Sequence, residues 1–290
     1  MSLWHVIVLS IIQGMAELLP VSSSAHVVVA EKLMGMDPTA PTMTLLLVML
    51  HTGTMFAVIV YFWRQWGQTY FRDGQTFRTI VLQLIAATFA TAVIGGGLIE
   101  GIEKFGFPHA QHAEIEQLFG RLDLIAPALA AAGILILLAG LRRREVARKT
   151  MDRDGTGLTM RQSVWIGAVQ GLCLPFRGFS RSGATISTGM LMDVRRARAE
   201  EFSFALAVIL TPPAIAREVL RLMKAQHISG AENLASAMGP SLLGAFFAFL
   251  AGLVALKWLS RWLETGKWWW FGVYCLVAAS VVFWLHLRGF

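Results

Sequence analysis

The stretch QGMAELLPVSSSAH at residues 13–26 and the stretch QGLCLPFRGFSRSGAT at residues 170–185 decide the fold of this chain. We name them the first break and the second break. Each begins with Gln-Gly, passes through a proline and reaches a Ser-x-Ser that is followed by a small residue. The apolar segments on either side are too short to cross a bilayer, which takes about 20 residues. Each stretch therefore predicts two short helices joined by a polar break.

The composition places the chain among integral membrane proteins. Of its 290 residues, 56% are hydrophobic and only 15% are charged, whereas soluble domains carry about 25% charged residues. The net charge of +7 comes from basic residues in the short loops between apolar stretches. This distribution is typical of the cytoplasmic loops of membrane proteins and argues against nucleic-acid binding.

Six apolar stretches are long enough to cross a bilayer. They are residues 43–63, 79–101, 124–141, 202–216, 241–259 and 268–287. The predicted fold class is therefore an all-α polytopic membrane protein with six transmembrane helices. We expect the fourth span to be kinked or partly unwound, because Pro212 and Pro213 interrupt it. His51 in the first span is interpreted as a packing residue, and Trp268–Trp270 as anchors at the membrane interface.

Loop charge predicts the orientation. The segment 142–163 contains Arg142, Arg143, Arg144, Arg148, Lys149 and Arg161. The segment 64–78 is also basic, whereas 102–123 is mainly acidic. Positive residues favour the cytoplasmic side, so both basic segments are placed inside and both termini outside. The basic segment 217–225 falls on the outer side in this arrangement, which goes against the rule.

Each break is followed by three predicted spans, and three is an odd number. The second unit must therefore start from the opposite face of the membrane, which predicts an inverted repeat within one membrane domain. Repeat one covers residues 1–141 with a re-entrant segment at 3–34, and repeat two covers 164–290 with a re-entrant segment at 164–192. The basic loop 142–163 connects them. The two re-entrant helix-loop-helix hairpins would meet near the midplane.

The two breaks concentrate the polar chemistry of the chain. Ionisable residues at membrane depth are costly and mark functional sites by default. Serine and glycine ahead of short helices offer backbone N–H groups to phosphate, and arginine adds a planar fork for phosphate oxygens. The candidate site residues are Gln13, Glu17, Ser22, Ser23, Ser24, His26, Ser180, Arg181, Ser182 and Thr185.

Structural roles remain open for several of these residues. Ser22–Ser24 can cap the helix that starts near Ala25. His26 can be an interior histidine with satisfied ring nitrogens, and Glu17 can pair with a buried arginine. Arg181 is the hardest to explain without a function, since an unpaired arginine in a short hydrophobic unit is costly.

At these residues the sequence resembles the undecaprenyl pyrophosphate phosphatase family, also described as bacitracin-resistance proteins. The first break resembles the family pattern (E/Q)GxxExxPxSSxxH through Gln13, Gly14, Glu17, Pro20, Ser22, Ser23 and His26. The second resembles PGxSRSGxT through Gly178, Ser180, Arg181, Ser182, Gly183 and Thr185. Further similarity lies at residues 201–204, 257–259 and 271–274, so the resemblance covers nearly the whole chain.

Two departures from the family patterns affect the site. Gln13 stands at the first acidic position, which weakens a direct role for it as a metal ligand. In the second break the Pro-Gly pair is split into Pro175-Phe176-Arg177-Gly178. Arg177 thereby becomes an additional candidate for phosphate binding.

The resemblance implies hydrolysis of a C55 isoprenyl pyrophosphate to the monophosphate and inorganic phosphate. This reaction recycles the lipid carrier of cell-wall synthesis at the outer, periplasmic face of the bacterial inner membrane and confers resistance to bacitracin. The family is regarded as dependent on a divalent cation, Mg²⁺ or Ca²⁺, and such hard cations prefer carboxylate and phosphate oxygens. A homodimer is compatible with the sequence.

The set of residues in the two breaks leads to a hypothesis about individual roles. The expected catalytic residues are Glu17, Ser23, His26 and Arg181. Glu17 is expected to hold the metal or act as a base, His26 to act as general acid or base, and Ser23 to be a nucleophile or only a phosphate ligand. The expected pyrophosphate-binding residues are Gln13, Ser22, Arg177, Ser180, Arg181, Ser182 and Thr185.

Two other functions compete with hydrolysis by this family. A polyprenyl-phosphate transporter or flippase is the main alternative, because inverted repeats with broken helices are common in transporters. A pocket with carboxylate, imidazole, guanidinium and hydroxyl groups is richer than binding alone requires, which favours the phosphatase. The acid-phosphatase-like lipid phosphatases need a histidine soon after a Ser-Arg pair. After Ser180 and Arg181 the next histidine is His227, so that family is discounted.

Overall fold

A computed structural model describes residues 2–36, 40–106, 120–142, 157–229 and 234–290. Within these residues the chain is helical and contains no strand. The helices are α1 (Leu3–Leu18), α2 (Ser23–Leu33), α3 (Pro41–Thr69), α4 (Gly74–Gly106), α5 (Leu122–Leu141), α6 (Met160–Leu172), α7 (Arg181–Leu191), α8 (Arg196–Ser229), α9 (Leu234–Glu264) and α10 (Trp269–Leu287). Much of the charge pattern behind the predicted orientation, including residues 114–116 and 143–149, lies outside the described residues.

Six of the described helices are long and apolar enough to cross a membrane. The apolar spans are Thr42–Thr69, Gly74–Lys104, Leu122–Leu141, Arg196–Leu220, Met238–Glu264 and Trp269–Leu287. The six predicted spans are therefore confirmed in number and place, and most of the helices extend beyond the predicted bounds.

Two local expectations about the spans are corrected. The helix α8 continues through Pro212 and Pro213, so the partial unwinding expected there is absent, whereas the alternative of a kink stays a prediction. Proline removes a backbone donor, so the carbonyls of Val208 and Ile209, four residues before Pro212 and Pro213, lose their helical partners. Neighbouring groups can satisfy such carbonyls in a membrane protein. Trp268 is fully buried, and its indole N–H donates to the Ser187 hydroxyl at 3.0 Å. It therefore packs inside the protein rather than anchoring the interface.

Four helices are too short to cross the membrane, and they flank the two breaks. α1 has 16 residues, α2 has 11, α6 has 13 and α7 has 11. At about 1.5 Å per residue, none of them reaches the roughly 30 Å of a hydrocarbon core. Ser22 caps α2 by accepting from the Ala25 N–H, and Ser180 caps α7 by accepting from the Gly183 N–H. The capping interpretation of Ser22 is thus confirmed.

Glycines allow the short helices to lie directly against long ones. α1 packs along α9, and α6 packs along α4. A Cβ atom on Gly14 would lie 2.6 Å from the Ala248 carbonyl oxygen of α9, and one on Gly167 would overlap the Ala87 carbonyl of α4. Both positions leave less room than a van der Waals contact needs, so they exclude every side chain.

The start of α7 lies deep inside the bundle. Every residue from Ser182 to Met190 is buried, and α7 packs against α5, α6 and α8. Its sequence, rich in serine, threonine and glycine, is polar for such a position, so its hydroxyl groups need partners. Thr185, for example, bonds to the Ser203 hydroxyl of α8. The part of the second break that begins α7 is therefore buried inside the protein.

Replacing Gly167 by alanine is expected to destabilise the protein by about 1–3 kcal/mol, because the new methyl group overlaps the α4 backbone. Gly96→Ala is the matched control, since a Cβ atom there meets nothing within 4 Å and alanine is the better helix former. Thermal unfolding of both variants in detergent measures the difference. Equal melting temperatures would contradict this packing of α6 on α4.

Candidate active site

The two breaks line one polar cavity of about 390 Å³. Side chains of α1, α2, α3, α7 and α8 complete its wall. Its polar lining consists of Gln13, Glu17, Ser22, Ser23, Ser24, Glu31, His51, Cys173, Arg177, Ser180, Arg181, Ser182 and Glu218. All the predicted site residues except His26 and Thr185 belong to this lining. The sequence prediction that the two breaks converge therefore agrees with their placement.

Glu17 lies at the centre of a hydrogen-bond cluster, although its side chain is only 15% exposed. The Ser23 hydroxyl donates to Oε2 at 2.6 Å, and the Gln13 amide donates to the same oxygen at 3.1 Å. The Arg181 guanidinium donates to Oε1 at 2.7 Å. A carboxylate with three donors is stabilised in its charged form. Glu17 is therefore held as an acceptor directly beside the Ser23 hydroxyl group.

Backbone contacts also join the two breaks. The Ser182 hydroxyl donates to the Leu19 carbonyl at 3.1 Å, and the Gly178 N–H donates to the Ser24 hydroxyl oxygen at 3.3 Å. Gly178 has φ = 102°, which favours glycine. These contacts hold the breaks together independently of the ion pair between Glu17 and Arg181.

Two helix N-termini begin at the cavity. α2 starts directly after Ser22 and α7 starts directly after Ser180, and both serines line the cavity. Helix N-termini carry partial positive charge and free N–H groups, which favour anions. Ser22 has φ = 67°, a conformation that is uncommon outside glycine and that clusters at functional sites. The cavity is suited to a phosphate group.

The Arg181 guanidinium has an unsatisfied hydrogen-bond donor. Its Nη2 binds Glu17, whereas its buried Nη1 has no hydrogen-bond partner among the described residues. A buried donor without a partner is destabilising, and an anion in the cavity would satisfy it. The arrangement of the guanidinium therefore favours a phosphate ligand over a purely structural role.

His26 lies outside the cavity lining, in an environment other than the one expected for an acid or base. Its Nδ1 donates to the Ser22 carbonyl at 2.8 Å, because that oxygen can only accept. Its Nε2 lies 2.7 Å from the Tyr274 hydroxyl of α10, and the two rings stack. Both ring nitrogens are engaged, which matches the interior-histidine alternative.

Thr185 also has partners away from the cavity. It is fully buried, and its hydroxyl lies 2.8 Å from the Arg181 carbonyl and 2.6 Å from the Ser203 hydroxyl. Helical geometry explains this position, because Thr185 is one turn beyond Arg181 and its hydroxyl reaches back to that residue's carbonyl. It connects α7 to α8 rather than facing the polar cavity.

Three ionisable residues that the sequence did not single out as site residues also line the cavity: His51, Glu31 and Glu218. The interpretation of His51 as a packing residue does not fit its position, since Nε2 lies 3.7 Å from Glu17 Oε2. An ionisable residue within a predicted span was the available signal. Glu31 is buried, and its Oε1 has no partner among the described residues. No motif pointed to Glu31 or Glu218.

The donor set suits a hard divalent cation only in part. Carboxylate, amide and hydroxyl oxygens are the ligand types that Mg²⁺ and Ca²⁺ prefer. Within the described part of the chain, however, no three His, Cys, Asp or Glu side chains group together as a metal site. The residues therefore fit a cation held jointly by a protein carboxylate and by substrate phosphate oxygens, as is common for Mg²⁺.

The fold and the cavity together define a polytopic membrane protein with a polar cavity between two serine-rich helix breaks. Residues 6–281 match the family described as "Bacitracin resistance protein BacA". The chain belongs to this family.

Curated relatives agree along the full length of the chain. An "Undecaprenyl-diphosphatase 2" of Acinetobacter baylyi is 56% identical over 286 residues, which are 97% of each chain. An "Undecaprenyl-diphosphatase" of Desulfosudis oleivorans is 32% identical, covering 97% of this chain and 98% of its own. An "Undecaprenyl-diphosphatase 2" of Burkholderia orbicola is 34% identical, covering 96% and 95%.

The pair of Glu17 and Arg181 is expected to be energetically coupled. Removing one partner leaves a mostly buried charge unpaired, so Arg181→Met should lower the free energy of unfolding by about 3 kcal/mol. The double variant Glu17→Gln/Arg181→Met should lose clearly less than the sum of the single variants. Thermal unfolding of the three proteins in detergent measures the coupling, and strictly additive losses would contradict the pairing.

Proposed function

We propose that the protein is an undecaprenyl-diphosphatase, a membrane phosphatase that converts undecaprenyl pyrophosphate into undecaprenyl phosphate and inorganic phosphate. The reaction recycles the lipid carrier of cell-wall synthesis and confers bacitracin resistance. The family and the names of the relatives support this function. The observation that carries it is the Ser23 hydroxyl, held 2.6 Å from the Glu17 carboxylate inside an anion-binding cavity.

The second break would bind the pyrophosphate. The Nη1 of Arg181, which lacks a partner among the described residues, would donate to a phosphate oxygen, and Arg177 adds a second guanidinium to the cavity wall. The N-termini of α2 and α7 supply partial positive charge. Ser22 and Ser180 already cap these N-termini, and Ser182 already joins the two breaks through the Leu19 carbonyl, so the part of all three serines is to shape the site.

The first break would perform the chemistry. Ser23 attacks the terminal phosphorus, and its proton passes to Glu17. The bond from that phosphorus to the bridging oxygen breaks, and its electron pair leaves with undecaprenyl phosphate. Water then attacks the phosphoserine, Glu17 returns the proton to the Ser23 oxygen, and inorganic phosphate leaves. Gln13 holds the Glu17 carboxylate in place through its amide.

A divalent cation, Mg²⁺ or Ca²⁺, would be held by Glu17 together with the pyrophosphate oxygens. It would neutralise the charge of the phosphoryl groups. Charge balance supports this proposal: Glu17, Glu31 and Glu218 line the cavity, against Arg177 and Arg181. A pyrophosphate adds further negative charge, so a cation is needed to offset it.

Phosphate release from undecaprenyl pyrophosphate by the purified protein is the direct test. Ser23→Ala is expected to lower kcat by more than about 10³-fold, as loss of a nucleophile does. Glu17→Gln should have a similar effect because the base is lost. EDTA should stop release, and Mg²⁺ or Ca²⁺ should restore it.

Controls for this assay come from the same chain. Ser280→Ala changes an exposed serine of α10, and Glu264→Gln changes an exposed glutamate of α9. Both should keep normal turnover. A folded wild-type protein that releases no phosphate under any metal would refute the function. If Ser23→Ala lowers kcat by no more than about tenfold, Ser23 is a phosphate ligand and not the nucleophile.

We assign His26 a positioning role, unlike the acid–base role expected from the sequence. Its ring fixes Ser22, the N-cap of α2, to Tyr274 of α10. His26→Asn should therefore lower kcat by about tenfold or less without removing a limb of the pH profile of kcat. A missing limb would instead restore the predicted acid–base role.

We further propose that the two halves form an inverted repeat with two re-entrant hairpins. Gly14 and Gly171 follow the equivalent glutamines Gln13 and Gln170. Gly14 packs on α9, and Gly171 packs on α4. Three long helices follow each break, and α4 and α9 are the second of the three in their halves. The third long helices of the two halves, α5 and α10, pack on each other. This reciprocal packing supports the repeat, and with it a lipid-flipping activity as a second candidate.

The orientation follows from the same proposal. We place the protein in the bacterial inner membrane with the start of α1 outside, the start of α6 inside and the site open towards the periplasm.

In a variant lacking Cys173 and Cys275, Trp4→Cys should react with an impermeant maleimide in intact cells, and Arg161→Cys only after lysis. Trp4 and Arg161 are both exposed.

Labelling of both positions from the same side would contradict the inverted repeat, and the reverse pattern would turn the site towards the cytoplasm.

A homodimer stays a prediction. Light scattering of the purified protein, which measures its molar mass, tests it.

A further inference from the structure

A second cavity, of about 560 Å³, lies between α4, α5 and the second break. Its walls are almost entirely apolar: Ile102 comes from α4, Leu124, Pro127 and Ala131 from α5, and Phe176 and Phe179 from the second break. We name it the apolar groove. Leu124 is 41% exposed and Phe176 is 44% exposed, so the groove opens to the surroundings of the bundle.

The apolar groove joins the polar cavity. Phe176, Arg177 and Phe179 line both spaces. Gly178 lies between these residues, and a Cβ atom on it would come 2.5 Å from the Ile125 carbonyl oxygen of α5. The bare backbone of the second break therefore forms the wall between the two spaces, with Arg177 at their junction.

The packing of the long helices leaves room for this groove. α4 packs on α6, whereas α5 packs on α10 and α7. The part of the second break from Leu172 to Phe179 thus lies between two helices that belong to different pairs. A chain entering from the bilayer between α4 and α5 would meet apolar side chains first and the phosphate-binding residues only at Arg177.

We propose that the apolar groove binds the first isoprene units of the lipid substrate, so that the tail enters between α4 and α5. This inference rests on the proposed function. A lipid pyrophosphate has an anionic head and an apolar chain, and the two joined spaces offer one compartment to each. Water would be excluded from the apolar part, which strengthens the contacts of the head with arginine.

The size of the groove predicts how tail length affects binding. A space of this volume holds a ligand of drug-like size, which is a small part of a C55 chain. Only the units nearest the pyrophosphate would be bound, and the remainder would lie in the bilayer. Affinity should therefore increase with length for the shortest tails and become constant for longer ones.

Photocrosslinking tests the position of the tail directly. The probe is a farnesyl pyrophosphate that carries a diazirine in its second isoprene unit, applied to the wild-type protein in detergent. We expect crosslinks within residues 124–131 or 172–179, and we expect an excess of undecaprenyl phosphate to suppress them. Mass spectrometry of the digested protein identifies the modified residues.

Filling the groove tests its part in turnover. Ala131→Phe places a ring in the groove and should raise the KM for farnesyl pyrophosphate by about tenfold, the effect of excluding about two buried methylene groups. The kcat should stay within about twofold, because the polar cavity is unchanged. Ala92→Phe is the matched control, since Ala92 is exposed on α4 and lines neither space.

The outcomes separate the groove from the proposed function. Phosphate release together with crosslinks on α2 or α10 would overturn the groove and leave the phosphatase intact. Crosslinks in the groove without any phosphate release would refute the phosphatase and leave a binding site for a prenyl phosphate. Crosslinks that undecaprenyl phosphate does not suppress would show that the probe partitions non-specifically into an apolar surface, which would overturn the inference.

Discussion

The ion pair between Glu17 and Arg181 sets the constraint on which the rest of the site depends. A single charge at membrane depth is costly, whereas a paired and hydrogen-bonded one is tolerated. Glu17 comes from the first break and Arg181 from the second, so each break compensates the charge of the other. Beside this pair, Ser23 donates to Glu17 and Ser182 donates to the Leu19 carbonyl. The site exists only when both halves of the chain are assembled.

The two breaks contribute different chemistry to this shared centre. The first supplies a carboxylate and a hydroxyl group, which suit attack on phosphorus. The second supplies Arg177, Arg181 and a deeply buried helix N-terminus, which suit binding of the phosphate. Such a division follows from the pairing, because a buried negative charge on one break requires a positive charge on the other.

The backbone of the second break separates a polar space from an apolar one. Gly178 permits this, because its positive φ and its closeness to the Ile125 carbonyl both exclude a side chain. An amphipathic lipid needs two such environments side by side, with the charged group at the boundary. The same logic of close approach applies to Gly14 and Gly167, which bring α1 and α6 against long helices.

The sequence by itself determined the membrane class, the six spans and the two breaks, because hydropathy and the positions of proline, serine and glycine act locally along the chain. It also identified Gln13, Ser23 and Arg181, which donate to Glu17, through motifs that resemble a known family. The environments of individual side chains were decided only by tertiary structure. His26 turns to Tyr274, Thr185 turns to Ser203, and His51 enters the cavity, since these contacts join different helices. Periodicity and composition carry no information about which distant helix a side chain will face.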